Sequence, residues 1–239
     1  MIRLGIVKFF DTLREARGLA GKPDANRAAF ADMVAEMLGG VAGLTVVDVG
    51  CGSADIGYFL SRLGARYTGI DSRRVGKAEA SIEVEYADAC LVADRPERRS
   101  QFDVCLLVDV VGYDRNLDRA LLAACRKLLR DSGQLYLDWP EQPEHPAGTW
   151  IDEDANFSFR LRWQYDMTSR MQRVRPKLHY RNAVYTISEE DAPTYPLSRY
   201  LYSVGEMREL LTSVGFQPTA APQSDDPSYV RLVAKTARV

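Results

Sequence analysis

The chain has 239 residues, 46% of them hydrophobic and 27% charged, with a formal net charge of -2 and a sequence pI of about 5.8. That length suits one α/β domain with insertions, large enough to bury ~70% of its unfolded surface, so a single domain over residues 1–239 is expected. The mild acidity removes any global electrostatic reason for a nucleic-acid partner, and no stretch approaches the ~20 apolar residues of a membrane span.

The four cysteines, Cys51, Cys90, Cys105 and Cys125, have no Cys-x-x-Cys spacing; reduced thiols in a cytoplasmic protein are the expectation. Residues 1–10 hold too short an apolar segment for a secretory signal. Asp24 is placed to cap a helix over residues 25–38, with Phe30, Val34, Met37 and Leu38 on one face and Gly39-Gly40 as a stop.

The chain is organised around residues 45–63. Residues 45–49 form a β-branched run, Gly50 and Gly52 allow a sharp turn and close approach of a ligand, and Ile56, Phe59, Leu60 and Leu63 recur at helical spacing. The helix begins directly after the turn, so its unpaired N–H groups and positive dipole end face whatever lies on the glycines. A dinucleotide fingerprint, Gly-x-Gly-x-x-Gly, requires glycine where Asp55 stands. Instead an acid comes first: Asp48, Gly50 and Gly52 form Asp-x-Gly-x-Gly.

That order resembles motif I of the class I S-adenosylmethionine-dependent methyltransferases, with Ala54 replacing the third glycine of the family pattern. The glycines of that family pass beneath the amino acid end of the cofactor. More of the family's landmarks follow in order. Residues 66–70 read as a second strand ending at Asp71 and Ser72, where an acid accepts the ribose hydroxyls. Residues 82–86 read as a third strand leading to Asp88 and Ala89, where the family places an acid against the adenine amino group. Residues 102–113 look like motif IV, a nearly continuous apolar strand whose end, around Val108, passes under the methyl donor. A helix over 117–130, a turn at Asp131-Ser132-Gly133 and a strand over 134–139 complete this part. Only ten residues, 72–81, join the second and third strands, the lower limit for a parallel crossover.

The resemblance implies a seven-stranded Rossmann-like methyltransferase sheet with helices on both faces. It divides the chain into an N-terminal helical cap (1–42), a cofactor-binding core (43–140), a small antiparallel β insertion on the substrate side (141–202) and a C-terminal completion of the sheet (203–239). Phe9, Phe10 and residues 13–17 then either form a lid over the cleft or pack on the sheet edge. Residues 141–148 are a proline-rich loop. Beyond it Phe157, Phe159, Leu161, Trp163 and Tyr165 alternate with polar residues, as in a half-buried antiparallel strand, with partners at 170–177, 183–187 and 195–202. The aromatic set either lines a substrate pocket or packs on the core. The basic run at 173–177 reads better as a charged, proline-protected strand edge than as a phosphate contact. Ser203 caps a helix over 204–214, Gly215 ends it, and two strands follow, at Phe216-Gln217 and over residues 229–234.

The implied function is methyl transfer from S-adenosylmethionine to the oxygen or nitrogen of a small-molecule acceptor, natural-product tailoring included. The alternatives are an RNA or protein methyltransferase and a cofactor-binding member of the fold that transfers no methyl. Cofactor contacts are expected from Asp48, Gly50, Cys51, Gly52, Asp71, Ser72, Asp88, Ala89 and Val108. His145, in the loop past the fifth strand, and Tyr113, just after motif IV, are the candidate catalytic residues. No metal is expected, because Trp139 follows Asp138 where catechol-type enzymes carry an Asp-Asn pair. Nucleic-acid and membrane partners are not expected, and the assembly is a monomer or homodimer.

Overall fold

The computed structural model describes residues 27–73, 81–112, 115–140, 147–153, 159–168, 171–180, 197–219 and 229–237, with the backbone course alone for residue 115 and residues 140–199. The chain forms two compact units. Gly21–Glu141 with Tyr202–Val239 make one, and Met1–Ala20 with Gln142–Leu201 the other.

In the larger unit, helix α1 (Arg27–Met37) precedes β1 (Thr45–Val49), α2 (Asp55–Arg62), β2 (Arg66–Asp71), β3 (Glu83–Tyr86), α3 (Ala89–Asp94), β4 (Phe102–Leu107), α4 (Arg115–Leu128) and β5 (Leu129–Pro140). After the second unit come α5 (Val204–Ser213), β10 (Phe216–Pro218) and β11 (Tyr229–Thr236). The seven strands lie in the order β10-β11-β5-β4-β1-β2-β3. β1 to β5 run parallel, while β11 is antiparallel to β5 and β10 to β11. The seven-stranded sheet expected from the sequence is therefore present, with its antiparallel pair at the chain's end.

Apolar residues occupy both faces of the central strands, as a parallel sheet covered on each side requires. Val46 of β1, Val104 and Leu106 of β4 and Tyr136 of β5 join Ala31 and Val34 of α1 and Ile56 and Leu60 of α2 in one core. The alternate residues Val47, Cys105, Leu107, Leu135 and Leu137 are equally buried, and the Cys105 thiol meets Cys125 of α4 on that side. The strand order runs outward from β1 in opposite directions, to β2 and β3 on one side and to β4 and β5 on the other, which makes the carboxyl end of β1 the switch point where ligands of such sheets settle. Among the described residues no helix is long and apolar enough to cross a membrane.

Several boundaries differ from the sequence reading. Helix α4 ends at Leu128, and the turn expected at Asp131-Ser132-Gly133 is instead an irregularity within β5. Phe102 pairs with Leu129 and Val104 with Gln134, so three more residues lie on β5 than on β4 over this step, and they bulge out between two paired positions. The second unit holds an antiparallel sheet, β6 (Ala147–Glu153), β7 (Phe159–Thr168), β8 (Met171–Tyr180) and β9 (Leu197–Tyr200), in that order. β6 begins inside the segment read as loop, and its strand character was masked by the proline-rich run before it. β8 runs three residues past the expected end. Among the described residues β9 pairs only with Met171 to Val174, so Pro176 lies beyond its last rung, where a strand proline is tolerated. The expected strand at 183–187 and the segment at 9–17 lie outside the described residues.

Gly57 offers a test of packing in this unit. It sits inside α2, where alanine ordinarily gains ~1 kcal/mol over glycine, yet a Cβ there would lie 2.2 Å from the Tyr67 ring. Overpacking of this kind costs about 1–3 kcal/mol. Gly57→Ala is therefore expected to lower the thermal midpoint, measured by circular dichroism, where an unobstructed helical position would show a rise.

Candidate functional site

The turn after β1 is built by backbone geometry. Gly50, Gly52 and Ala54 have φ of 78°, 57° and 58°, so three alternate positions occupy the left-handed region. Gly50 N–H and Cys51 N–H both donate to Ile70 O, at 2.7 and 3.3 Å, which ties the turn to the end of β2. Two glycines also make room for close packing here. A Cβ on Gly50 would lie 2.7 Å from Val110, in the segment after β4, and one on Gly69 would lie 2.7 Å from the Cys51 sulfur. Gly52 differs, since a Cβ there would meet nothing within 4 Å. The open surface of the turn is thus over Gly52. Ala54, at the position of the family's third glycine, adopts the glycine conformation at a cost of roughly 1–2 kcal/mol.

Asp71 stands at the carboxyl end of β2, as expected, and its carboxylate is already at work. Oδ2 accepts from Gly52 N–H at 2.9 Å and Oδ1 from Arg73 N–H at 2.9 Å. Burial raises its carboxyl pKa above the ordinary value, against the pull of these two bonds. Ser72 beside it is exposed. Asp88 caps α3, accepting from Cys90 N–H at 2.8 Å, with Ala89 buried behind it. Val108, half-buried just past β4, packs against the core that contains Val46 and Leu106.

Asp48 is only 2% exposed. Oδ2 accepts from the Tyr67 hydroxyl at 2.7 Å, while Oδ1 has no hydrogen-bond partner. Burial pushes its carboxyl from 3.8 up to about 7; the Tyr67 bond opposes the shift, and nearby Asp71 adds to it. The Cys51 thiol is pushed up as well, chiefly by burial and next by Asp48. It is a packed thiol and no nucleophile. The sequence reading missed Tyr67; its signal was a hydroxyl-bearing ring on a strand that is otherwise apolar and buried at that depth.

A second group of polar contacts lies beyond β4 and β5. Asp109, at φ 57°, donates its N–H to Asp138 Oδ1 at 2.6 Å and accepts from the Tyr229 hydroxyl at 3.0 Å. Asp118 of α4, 4% exposed, accepts from Gly112 N–H at 3.0 Å and from the Tyr202 hydroxyl at 2.8 Å. These bonds hold the segment from Val108 to Gly112 in place. Asp118, Tyr202 and Tyr229 were not anticipated. Their sequence separations of 84 and 120 residues from their partners leave no local signal. Tyr113 and His145 lie outside the described residues, and the side chains of Trp163 and His179 are undescribed. No group of three or more His, Cys, Asp or Glu among the described residues is placed to hold a metal ion.

The Asp48 geometry dictates a pH dependence. A carboxyl raised from 3.8 to about 7 on folding binds its proton more tightly in the folded chain. Its contribution to stability is fully present below about pH 4 and is lost as pH rises through about 7, by up to roughly 4 kcal/mol. Asp48→Asn removes the titration. The urea midpoints of wild type and variant are expected to diverge between pH 5 and 8, the variant becoming relatively more stable at the alkaline end.

Residues 47–137 match a family described as "Methyltransferase domain". A curated relative from Shewanella pealeana, named ubiquinone biosynthesis O-methyltransferase, is 29% identical over 105 residues, 41% of this chain and 44% of that protein. The chain spans less than half the length of the curated relatives it matches. A solved S-adenosylmethionine-dependent methyltransferase from Clostridium acetobutylicum superposes with a TM-score of 0.70 at 11% identity, covering 98% of each chain. The sugar N-methyltransferase KedS8 from a Streptoalloteichus species does so at 0.67 and 17%, covering 93% of this chain and 91% of its own. Residues 47–137 thus match a methyltransferase-domain family, and the chain as a whole has the Rossmann-like fold of the class I methyltransferases.

Proposed function

We propose that the chain is an S-adenosylmethionine-dependent methyltransferase that methylates an oxygen or nitrogen of a small molecule, without a metal ion. The observation that carries this reading is the turn over Gly52, open where a Cβ would project and buttressed from below by Asp71 at the sheet's switch point. A ligand lying on that surface has the Asp71 carboxylate, with lone pairs left on both oxygens, within reach of a ribose. It also has the buried, half-partnered Asp48 below the glycines and Asp88 at the adenine end. Gly50, Cys51, Ser72, Ala89 and Val108 complete the contact set. The residues present therefore fit this cofactor. The relatives' names, an O-methyltransferase and a sugar N-methyltransferase, support acceptors of either kind.

The chemistry supplied by the bound cofactor is an activated methyl group on a sulfonium, which is transferred by in-line displacement. What the chain's own residues do is hold the nucleophile in line and take up its proton. Positioning accounts for ~7–11 kcal/mol of such a barrier, against ~100- to 10,000-fold from a general base. Positioning falls to the segment from Val108 to Gly112, with Tyr113 beside it to orient the acceptor; His145 is the proton acceptor. We read the whole of 1–239 as one methyltransferase domain, its N-terminal helical cap (1–42), cofactor-binding core (43–140), β insertion (141–202) and C-terminal completion of the sheet (203–239) serving one activity. We place it in the cytoplasm, where its four free thiols stay reduced, as a monomer or homodimer without nucleic-acid or membrane partners.

Formation of S-adenosylhomocysteine with a panel of sugar, phenol and amine acceptors tests the reading. Turnover with RNA or peptide acceptors alone, or cofactor binding with no turnover, would replace it. Asp71→Ala is expected to weaken cofactor binding by up to about 1.5–3 kcal/mol for each charged hydrogen bond lost, measured by calorimetric titration. Gly52→Val should weaken it further by filling the open surface. His145→Ala and Tyr113→Phe should each retain measurable turnover at alkaline pH, where the acceptor sheds its proton unaided. Loss of turnover at every pH in His145→Ala, with binding intact, would make that base indispensable.

A further inference from the structure

Asp48 poses a problem that cofactor placement alone does not solve. A carboxylate that is 2% exposed, with one oxygen bonded to Tyr67 and the other bonded to nothing, is costly as an anion. Its charged surroundings do not relieve the cost. Tyr67 and Asp71 face it from β2, Cys51 from the turn, Cys105 from β4 and Arg27 from α1. Of these Arg27 alone is a cation. Its influence is the smallest of the four that bear on Asp48, and its guanidinium lies 5.8 Å from the Phe30 ring centroid. Asp71, a second acid, bears on Asp48 as well. The geometry is therefore a receptor for one positive charge, completed by Tyr67, which donates to the far oxygen and so fixes the carboxyl group in orientation.

We infer that Asp48 carries a proton in the absence of ligand and releases it to solvent when a cationic group docks against its unpartnered oxygen, so that cofactor binding is proton-linked. The inference rests on the reading of the turn as a cofactor site, with the ammonium of the cofactor's amino acid end as the cation. Only the carboxyl O–H bond breaks, and the proton passes to the buffer. By reciprocity the ligand binds more tightly as pH rises, and the dependence disappears once Asp48 is ionised without help. Between pH 5.5 and 6.5, where the release is read, the ammonium stays charged.

The test is calorimetric titration of the full chain with S-adenosylhomocysteine in two buffers of different ionisation enthalpy, from pH 5.5 to 8.5. About one proton should be released per ligand near pH 6 and almost none at 8.5, and the dissociation constant should fall about tenfold between pH 5.5 and 6.5. Asp48→Asn should bind with no release from this group. Tyr67→Phe, which removes the bond that favours the anion, should move the release to higher pH. Methylthioadenosine, which keeps the adenosine end and lacks the ammonium, serves as the probe that needs no variant, and it should bind without release. Equal proton release with methylthioadenosine would assign the effect to a group at the adenosine end, such as Asp71, and overturn the inference. So would binding of S-adenosylhomocysteine with no release at any pH. Absence of all binding would instead overturn the cofactor reading on which the inference rests.

Discussion

One hydrogen bond, 2.9 Å from Gly52 N–H to Asp71 Oδ2, joins the turn after β1 to the end of β2, and the rest of the site is arranged around it. The bond requires Gly52 at φ 57°, which requires a turn tight enough for Gly50 and Cys51 to share Ile70 O. That in turn requires β1 and β2 to be adjacent and in register, Val49 beside Ile70. A one-residue slip would carry Asp71 away from Gly52 and turn every buried side chain of β2 to the opposite face. The two buried faces of the sheet therefore do more than stabilise it: they fix, to within a hydrogen bond, where an acid meets a glycine.

Stability is spent at the same place. Ala54 and Asp109 hold left-handed conformations without being glycine, each at a cost of order 1–3 kcal/mol. Asp48 is buried with half of its hydrogen-bonding capacity unmet. All three positions lie at the carboxyl ends of β1 and β4, the two strands that flank the switch point. Elsewhere one further non-glycine residue, Ser100 before β4, has a positive φ of 53°, and the local signals are otherwise consistent. Helix α5 has a complete capping box between Ser203 and Glu206, and Glu85 of β3 pairs with both Arg95 and Arg98. Concentrated strain within an otherwise consistent fold is the pattern expected where function overrides stability.

The parts of this arrangement that could be read from the sequence are those with a short-range cause. The order of β1, α2, β2, β3 and β4, the capped helix α5 and the closing strand pair each leave a periodicity or a capping residue in the chain, and the acids at 48, 71 and 88 announce themselves by lying within or just past strand-like runs. The bulge in β5 was read as a plain turn because Asp131-Ser132-Gly133 has turn chemistry, and it is pairing with β4 on either side, and with β11 from Gln134 on, that keeps the backbone extended. β6 was missed because the proline-rich run before Ala147 outweighs a short, polar strand. The largest omission is the set of hydroxyl donors. Tyr67, Tyr202 and Tyr229 look like ordinary aromatic core or strand residues, and their roles come from partners 19, 84 and 120 residues away.

Those three tyrosines share a physical logic. Each presents an apolar ring to the core and carries its hydroxyl to a carboxylate at the carboxyl end of the sheet: Asp48, Asp118 and Asp109. A tyrosine suits this task because its ring is buried at a gain while its polar end needs a partner, whereas a lysine or arginine would neutralise the acid and remove the negative potential from the cleft. At Asp48 and Asp118 the hydroxyl donates to a side chain that is almost wholly inaccessible to water, where a hydrogen bond is strong and an unmet one costly. The acids are thereby oriented without an ion pair, and Asp48 can still exchange its proton for the charge of a cationic ligand. The carboxyl end of the sheet thus holds its acids in orientation before any ligand arrives, and at Asp48 the step left for a cationic ligand is displacement of the proton.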